Sequence, residues 1–200
     1  QRKAEARKRI VDCTYQCVEE GGFRSARVTR IADLAGVATG TIYRHFESRE
    51  DLFAEIFRLA TQREVDKVAE ALATSGNAAE RLERALRQFA VRALRGPMMA
   101  WSLIAEPVDP KVEEERLAYR KAYANLFEKA IREGIDEGCI PDQDARQSST
   151  CLVGAIAESL VGPLSPTQTN QADSATEDNH DPLVNSIIRF CMQGLTGTRR

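Results

Sequence analysis

The amino-acid sequence predicts an all-α protein. Apolar residues recur at spacings of three and four, long stretches of strand-like alternation are missing, and Gly, Pro and polar breaks separate segments of helical length. At 200 residues, 42% hydrophobic and 29% charged, the chain has a globular composition with room for one large domain or two small ones.

The first helix carries Ile10, Cys13, Thr14, Cys17 and Val18 on one face, and Gly21-Gly22 is expected to stop it. Short helices over about 28–35 and 39–46 flank Gly36, which can take the left-handed backbone of a tight turn. Ser48-Arg49-Glu50-Asp51 has the pattern of a capping box. Leu52, Phe53, Ile56 and Leu59 then give the helix it opens an apolar stripe, as far as about residue 73. Thr74-Ser75-Gly76-Asn77 breaks that helix, and the next spans about 78–95, ended by Gly96-Pro97. A segment over 98–106 is cut by Pro107 and Pro110, and about 110–137 forms the longest amphipathic stretch. A helix over 142–161 is expected to end at Gly162-Pro163. Residues 165–181 are polar and read as a mobile loop, and 182–195 form a last amphipathic helix.

Composition excludes several classes. No apolar run approaches the roughly 18 residues needed to cross a bilayer. No basic-then-apolar leader opens the chain, and a first residue of Gln implies a trimmed start. Cys13, Cys17, Cys139, Cys151 and Cys191 are scattered and odd in number, which fits a reducing cytoplasm better than a disulfide scaffold. Two histidines, His45 and His180, leave little for a histidine-rich metal centre. Glu177-Asp178-Asn179-His180 is a lone Glu-x-x-His in a polar loop, and Cys13 and Cys17 have no partner pair at zinc-finger spacing. Phosphate-cradling glycine loops and a nucleophile elbow are absent. The expectation is therefore no enzyme, no cofactor and no metal.

Net charge is −2 overall, but its distribution is uneven. Residues 1–60 carry 11 Lys/Arg against 9 Asp/Glu, whereas 61–200 carry 17 against 21. A basic region joined to a larger acidic one is the asymmetry expected when one end meets a polyanion. The informative stretch is 29–46, TRIADLAGVATGTIYRHF. Ile31, Ala32 and Ala35 can face the core from one short helix, and Ile42 and Phe46 from the next, with small Ala32 allowing close approach. The outward side of the second helix then shows Thr39, Gly40, Thr41, Tyr43, Arg44 and His45, with no acid between Ala38 and Phe46. Hydroxyls, an aromatic, a guanidinium and an imidazole suit phosphate oxygens and base edges in a major groove. With Ile42 in the core, its neighbour Tyr43 is expected outside, because adjacent positions of this short helix point about 100° apart. Arg49, in the first turn of the next helix, can grip a backbone phosphate together with the free amides there.

The pattern Ile31-Ala32, Ala35-Gly36-Val37, Gly40 to Phe46, Arg49-Glu50 and Leu52, within residues 8–60, closely resembles the TetR family of transcriptional regulators. The resemblance implies a helix-turn-helix DNA-binding domain over 1–47 and a helical-bundle effector-binding and dimerisation domain over 48–200. It implies a homodimer on a palindromic double-stranded operator, usually for repression, with a small-molecule effector that alters the separation of the two reading heads. Carried over by position, Thr39, Gly40, Thr41, Tyr43 and His45 read the groove, Arg44 reaches a base or phosphate, and Thr29 and Arg49 clamp the backbone. The chain departs from the pattern with Ala26 and Arg27 before the first short helix. Ala38 stands where a capping Ser is common, which leaves Thr39 to cap.

In the remaining residues, small side chains over 142–161 with Leu152, Val153, Ile156 and Leu160 are expected to form the dimer face. Leu183, Ile187, Phe190 and Cys191 over 182–195 give it a matching stripe. Phe89, Met98, Trp101, Tyr119, Tyr123 and Phe127 mark a pocket for an apolar or aromatic effector, with Glu106, Arg116 or Arg120 as polar anchors. Two rivals remain open: a thiol-redox regulator triggered at Cys139, the other thiols lying on apolar faces, and a helical adaptor that does not bind DNA.

Overall fold

A computed structural model describes residues 2–166 and 181–197. The loop read over 165–181, with His180 in it, lies almost wholly outside the described residues. Those residues form nine helices: α1 (Arg2–Ser25), α2 (Val28–Ala35), α3 (Thr39–Ile42), α4 (Arg49–Leu72), α5 (Ala78–Arg95), α6 (Pro97–Ile104), α7 (Pro110–Asp136), α8 (Ala145–Leu164) and α9 (Asp181–Thr196). Among the described residues there is no strand, and no helix is long and apolar enough to cross a membrane. The fold is all-α, as the periodicity requires.

Three boundaries differ from expectation. Gly22 kinks α1 instead of ending it. Its backbone sits at φ 74°, ψ 177°, and the helical path resumes to Ser25. The Glu106 carboxylate accepts hydrogen bonds from the Phe23 and Arg24 amides at 2.9 and 3.0 Å, taking over from the carbonyls that the kink removes. A Cβ on Gly22 would come within 2.8 Å of both carboxylate oxygens, so glycine is required there twice over. The α3 helix ends at Ile42, four residues short of Phe46, where the backbone tightens into shorter-range bonds. Finally, α8 begins at Ala145, capped by Asp144 accepting from the Gln147 amide, and runs through Pro163 to the buried Leu164. Pro163 lies in the last turn, where its missing N–H costs one ladder bond and burial of Leu164 compensates.

The residues group into two compact units, Gln1–Gln62 with Gly96–Leu117, and Arg63–Arg95 with Ala118–Arg200. The grouping differs from a division at 47/48. The first half of α4 and all of α6 belong with the amino-terminal helices, because their side chains make the core there. Phe23 packs on Phe53 and Phe57 with centroids 5.3 and 6.4 Å apart, among buried Ile10, Val18, Leu52 and Ile56. Buried Arg116 closes the end of α6 by donating to the Leu103, Ser102 and Glu106 carbonyls at 3.0, 3.2 and 2.8 Å. Glu106 and Arg116 are thus committed to backbone groups rather than open to a ligand.

In the second unit, α5 packs against α8 and α9. Leu152, Ile156 and Leu160 of α8 and Val184, Ile187, Ile188, Cys191 and Leu195 of α9 are buried, where an exposed stripe was expected. They fill the intrachain core because they sit opposite the apolar face of α5, with Leu82, Leu86 and Ala90. Exposed on α8 are Arg146, Gln147, Thr150, Cys151, Gly154, Glu158, Ser159 and Gly162, and α9 leaves Phe190 at 69% exposure.

The turn between α2 and α3 gives a clean stability test. Gly36 has φ 64°, ψ 40°, and no atom lies within 4 Å of where a Cβ would stand. The cost of Gly36→Ala is therefore backbone strain alone. The denaturant midpoint should drop by the equivalent of about 1–2 kcal/mol with an unchanged m-value.

Candidate nucleic-acid interface

The reading element is built from the turn outward. In α2, Ile31, Ala32 and Ala35 are buried. The chain leaves the helix through a Schellman turn, with the Gly36 amide donating to Asp33 O at 3.2 Å and the Val37 amide to Ala32 O at 3.0 Å. Ala38 is the residue before α3 and makes no side-chain cap. The expected capping by Thr39 does not occur: Thr39 is the first residue of the helix, with its side chain exposed.

Beyond Ile42 the backbone tightens. Arg44 and His45 donate to the carbonyls three residues back, at 3.2 and 2.9 Å, while Phe46 donates to Ile42 O at 3.0 Å. Side chains three apart eclipse in such a turn. His45 therefore falls in line with buried Ile42 and is half-buried, as is Thr41, where the sequence suggested open presentation. Thr39, Gly40, Tyr43 and Arg44 are exposed, Tyr43 at 49%. Ile42 and Phe46 are buried beneath them. Thr29 is exposed on the first turn of α2.

Arg49 opens α4. Its guanidinium lies 5.2 Å from the centroid of the Phe53 ring and its Nε 3.7 Å from Glu50, leaving the group half-exposed. Ser48 Oγ accepts from the Asp51 amide at 3.1 Å and donates to the Asp51 carboxylate at 2.8 Å. One of the amides expected to be free is thus already satisfied. Hydrogen bonds from Lys111 and Ser48 hold the Asp51 carboxyl below its ordinary range, and the same contact raises the Lys111 ammonium. Leu34, 46% exposed on α2, escaped the sequence reading because an aliphatic side chain next to the core set 31, 32 and 35 reads as core.

Of the aromatic residues, Phe89 and Tyr123 meet edge to face at 5.6 Å in the second unit. Tyr119 of that unit is half-buried and Phe127 buried, while half-buried Met98 and Trp101 belong to the first unit. Burial first, then the Glu64 carboxylate, pushes the Tyr123 hydroxyl far above its ordinary range, so it stays protonated. All five thiols are free. Cys139 is half-buried and donates to Glu137 at 3.6 Å. Cys151 is the exposed one, contrary to the expectation that it lies on an apolar face, because the outward side of α8 is lined by small residues. Burial raises the Cys13 and Cys17 thiols and pushes Cys191 up to about 11.

The geometry has counterparts in known proteins. Residues 10–56 match the model of bacterial regulatory proteins of the tetR family, and 75–161 match the tetracyclin repressor-like carboxy-terminal domain. The chain belongs to the TetR family. This TetR-family chain is 25% identical over 155 residues to the fatty acid metabolism regulator protein of Bacillus subtilis, covering 76% of this chain and 80% of that one. It is 44% identical over 48 residues to the transcriptional repressor KstR of Mycobacterium tuberculosis, 24% of this chain and 22% of that one. The fold matches crystalline FadR from Bacillus subtilis in complex with stearoyl-CoA, with a TM-score of 0.73, 22% identity, and 94% and 98% of the two chains covered. The TetR-family protein is a DNA-binding transcriptional regulator.

Gly40 separates reading from folding. It lies in α3 at an ordinary helical backbone, and a Cβ there meets nothing within 4 Å. Gly40→Ala should leave the protein as stable or up to about 1 kcal/mol more stable in thermal or urea melts. If Gly40 faces duplex DNA, the added methyl should lower affinity severalfold in a gel-shift assay.

Proposed function

We propose that this regulator is a repressor that binds a palindromic operator as a homodimer and is released by an apolar effector. The observation that carries the reading is the outward set Thr39, Gly40, Tyr43 and Arg44, fixed from below by Ile42 and Phe46. Those four enter the major groove, with Thr41 and His45 at the edge of the contact. Thr29 and Arg49 grip phosphates on either side. Two such heads are joined through residues 142–161 and 182–195. The uncovered Phe190 and the small residues outward on α8 support that joining face. The protein works in the cytoplasm, where operator DNA is met.

The effector is apolar, and the aromatic residues Phe89, Tyr119, Tyr123 and Phe127 of the second unit are its contacts. FadR of Bacillus subtilis, which shares this fold, was crystallised with stearoyl-CoA, and the curated relative from that organism is named a fatty acid metabolism regulator. A long-chain acyl thioester is accordingly the first class to test. An effector shifts the balance between bound and released forms only by its preference for one of them.

Fragments captured from genomic DNA by the wild-type protein supply the duplex for both tests. Tyr43→Ala and Arg49→Ala should each weaken binding by about tenfold or more, with wild-type melting and wild-type oligomeric state, since one good base or phosphate contact is worth roughly 1–3 kcal/mol. Wild-type affinity in both variants contradicts the DNA-reading assignment. Stearoyl-CoA at micromolar concentration should raise the melting temperature of the free protein and release the duplex in a polarisation assay. If it does neither while DNA binding persists, the acyl-thioester assignment fails alone.

A further inference from the structure

The hydroxyl of Tyr123 is a polar group that neither the reading element nor the core uses. Tyr123 lies on α7, half-buried, and its hydroxyl makes no hydrogen bond among the described residues. The hydroxyls of Thr14, Thr150 and Ser159 fall back on their own helices, donating to the carbonyl four residues earlier at 2.7, 3.0 and 2.7 Å. A phenol stands too far from its own backbone to do the same, so its partner has to come from elsewhere. The ring meets Phe89 of α5 edge to face at 5.6 Å. One turn along α5 from Phe89, Arg92 forms a two-pronged ion pair with Glu64 of α4, both bonds at 2.7 Å. Both charges are felt at the phenol, Glu64 more strongly than Arg92, and Tyr119 acts on it from one turn back on α7. All five residues belong to the second unit.

We propose that the Tyr123 hydroxyl donates to the neutral carbonyl oxygen of an apolar effector (an ester, thioester or ketone) and selects such molecules over carboxylates of equal chain length. Burial is the largest influence on the phenol and keeps it protonated, which leaves it a proton to offer. The two charges beside it already neutralise one another, with the balance at the phenol on the carboxylate side. A desolvated donor in that field suits a neutral acceptor and disfavours an anion. The Phe89 and Tyr123 rings give the carbon chain of such a molecule a matching apolar surface. A hydrogen bond left unmade in the free protein and made only in the complex appears as affinity for molecules that carry the acceptor, and as rejection of those that lack it.

The proposal rests on the effector reading above, and the experiment tells the two apart. The probes are stearoyl-CoA and S-octadecyl-CoA, which differ only in the thioester carbonyl, and methyl decanoate and decanoate at a pH where the acid is ionised. Each is titrated calorimetrically into the intact wild-type chain and into Tyr123→Phe. Wild type should bind stearoyl-CoA about three- to tenfold more tightly than S-octadecyl-CoA, the worth of one hydrogen bond between neutral groups. It should also bind methyl decanoate more tightly than decanoate. Tyr123→Phe should lose affinity for both carbonyl compounds by that same factor and bind S-octadecyl-CoA as wild type does, since the ring remains. Without ligand the variant should melt at or above the wild-type temperature, because the hydroxyl it lacks had no partner. Unchanged binding of both carbonyl compounds by the variant overturns the proposal, and so does equal weakening of thioester and thioether. A lower melting temperature of the free variant, or tighter wild-type binding of decanoate than of its methyl ester, overturns it as well. The effector reading survives each of those results, whereas binding of none of the probes by wild type would remove both together.

Discussion

The reading surface follows from one constraint of helical geometry: neighbouring side chains point about 100° apart, so a short helix with a single core-facing side turns the next residue away from it. Ile42 is completely buried on that side, Tyr43 stands outside at 49% exposure, and Phe46 closes the turn from below. The backbone is held at both ends. The Gly36 turn sets the angle at which α2 hands over to α3, and the tightened bonds after Ile42 stop the helix before Phe46. A helix of this length would not persist alone in water, because its nucleation cost exceeds the gain from so few bonds. The surface exists as a consequence of what lies beneath it.

A second fixed point lies at the opposite end of α1. Glu106 and Arg116 are buried charged residues with every polar group engaged: the carboxylate on the Phe23 and Arg24 amides, the guanidinium on three carbonyls at the end of α6 and on the Glu113 carboxylate. Each fills orphaned groups that a kink or a helix end creates, which is what makes burial of the charges tolerable. Together they make α1, α6 and the start of α7 one packed body with the reading helices. Residues far from the DNA face in sequence thus share its core.

The helices and the reading motif were legible in the sequence because they are local: apolar spacing, the Ser48 box and Gly36 act within a few residues. Ile31, Ala32, Ala35, Ile42 and Phe46 are buried where the pattern puts them, and Tyr43 is outside. What the sequence hides depends on distant partners. Gly22 looks like a stop until Glu106, more than eighty residues away, supplies its carboxylate. Leu152, Ile156 and Leu160 look like an outward stripe until α5 is laid against them. Glu106 and Arg116 look like ligand anchors for the same reason, since a sequence shows a charge but not the backbone groups it answers. His45 is different again: only the local switch to a tighter turn brings it into line with Ile42.

The proposed reading places α3 in the major groove. Treating the captured duplex with dimethyl sulfate methylates guanine N7, which lies in that groove, and adenine N3, which lies in the minor one. Binding should be blocked by methylated guanines at discrete positions in each half-site. Blockage only at adenine N3, or indifference to both, would contradict that placement of α3.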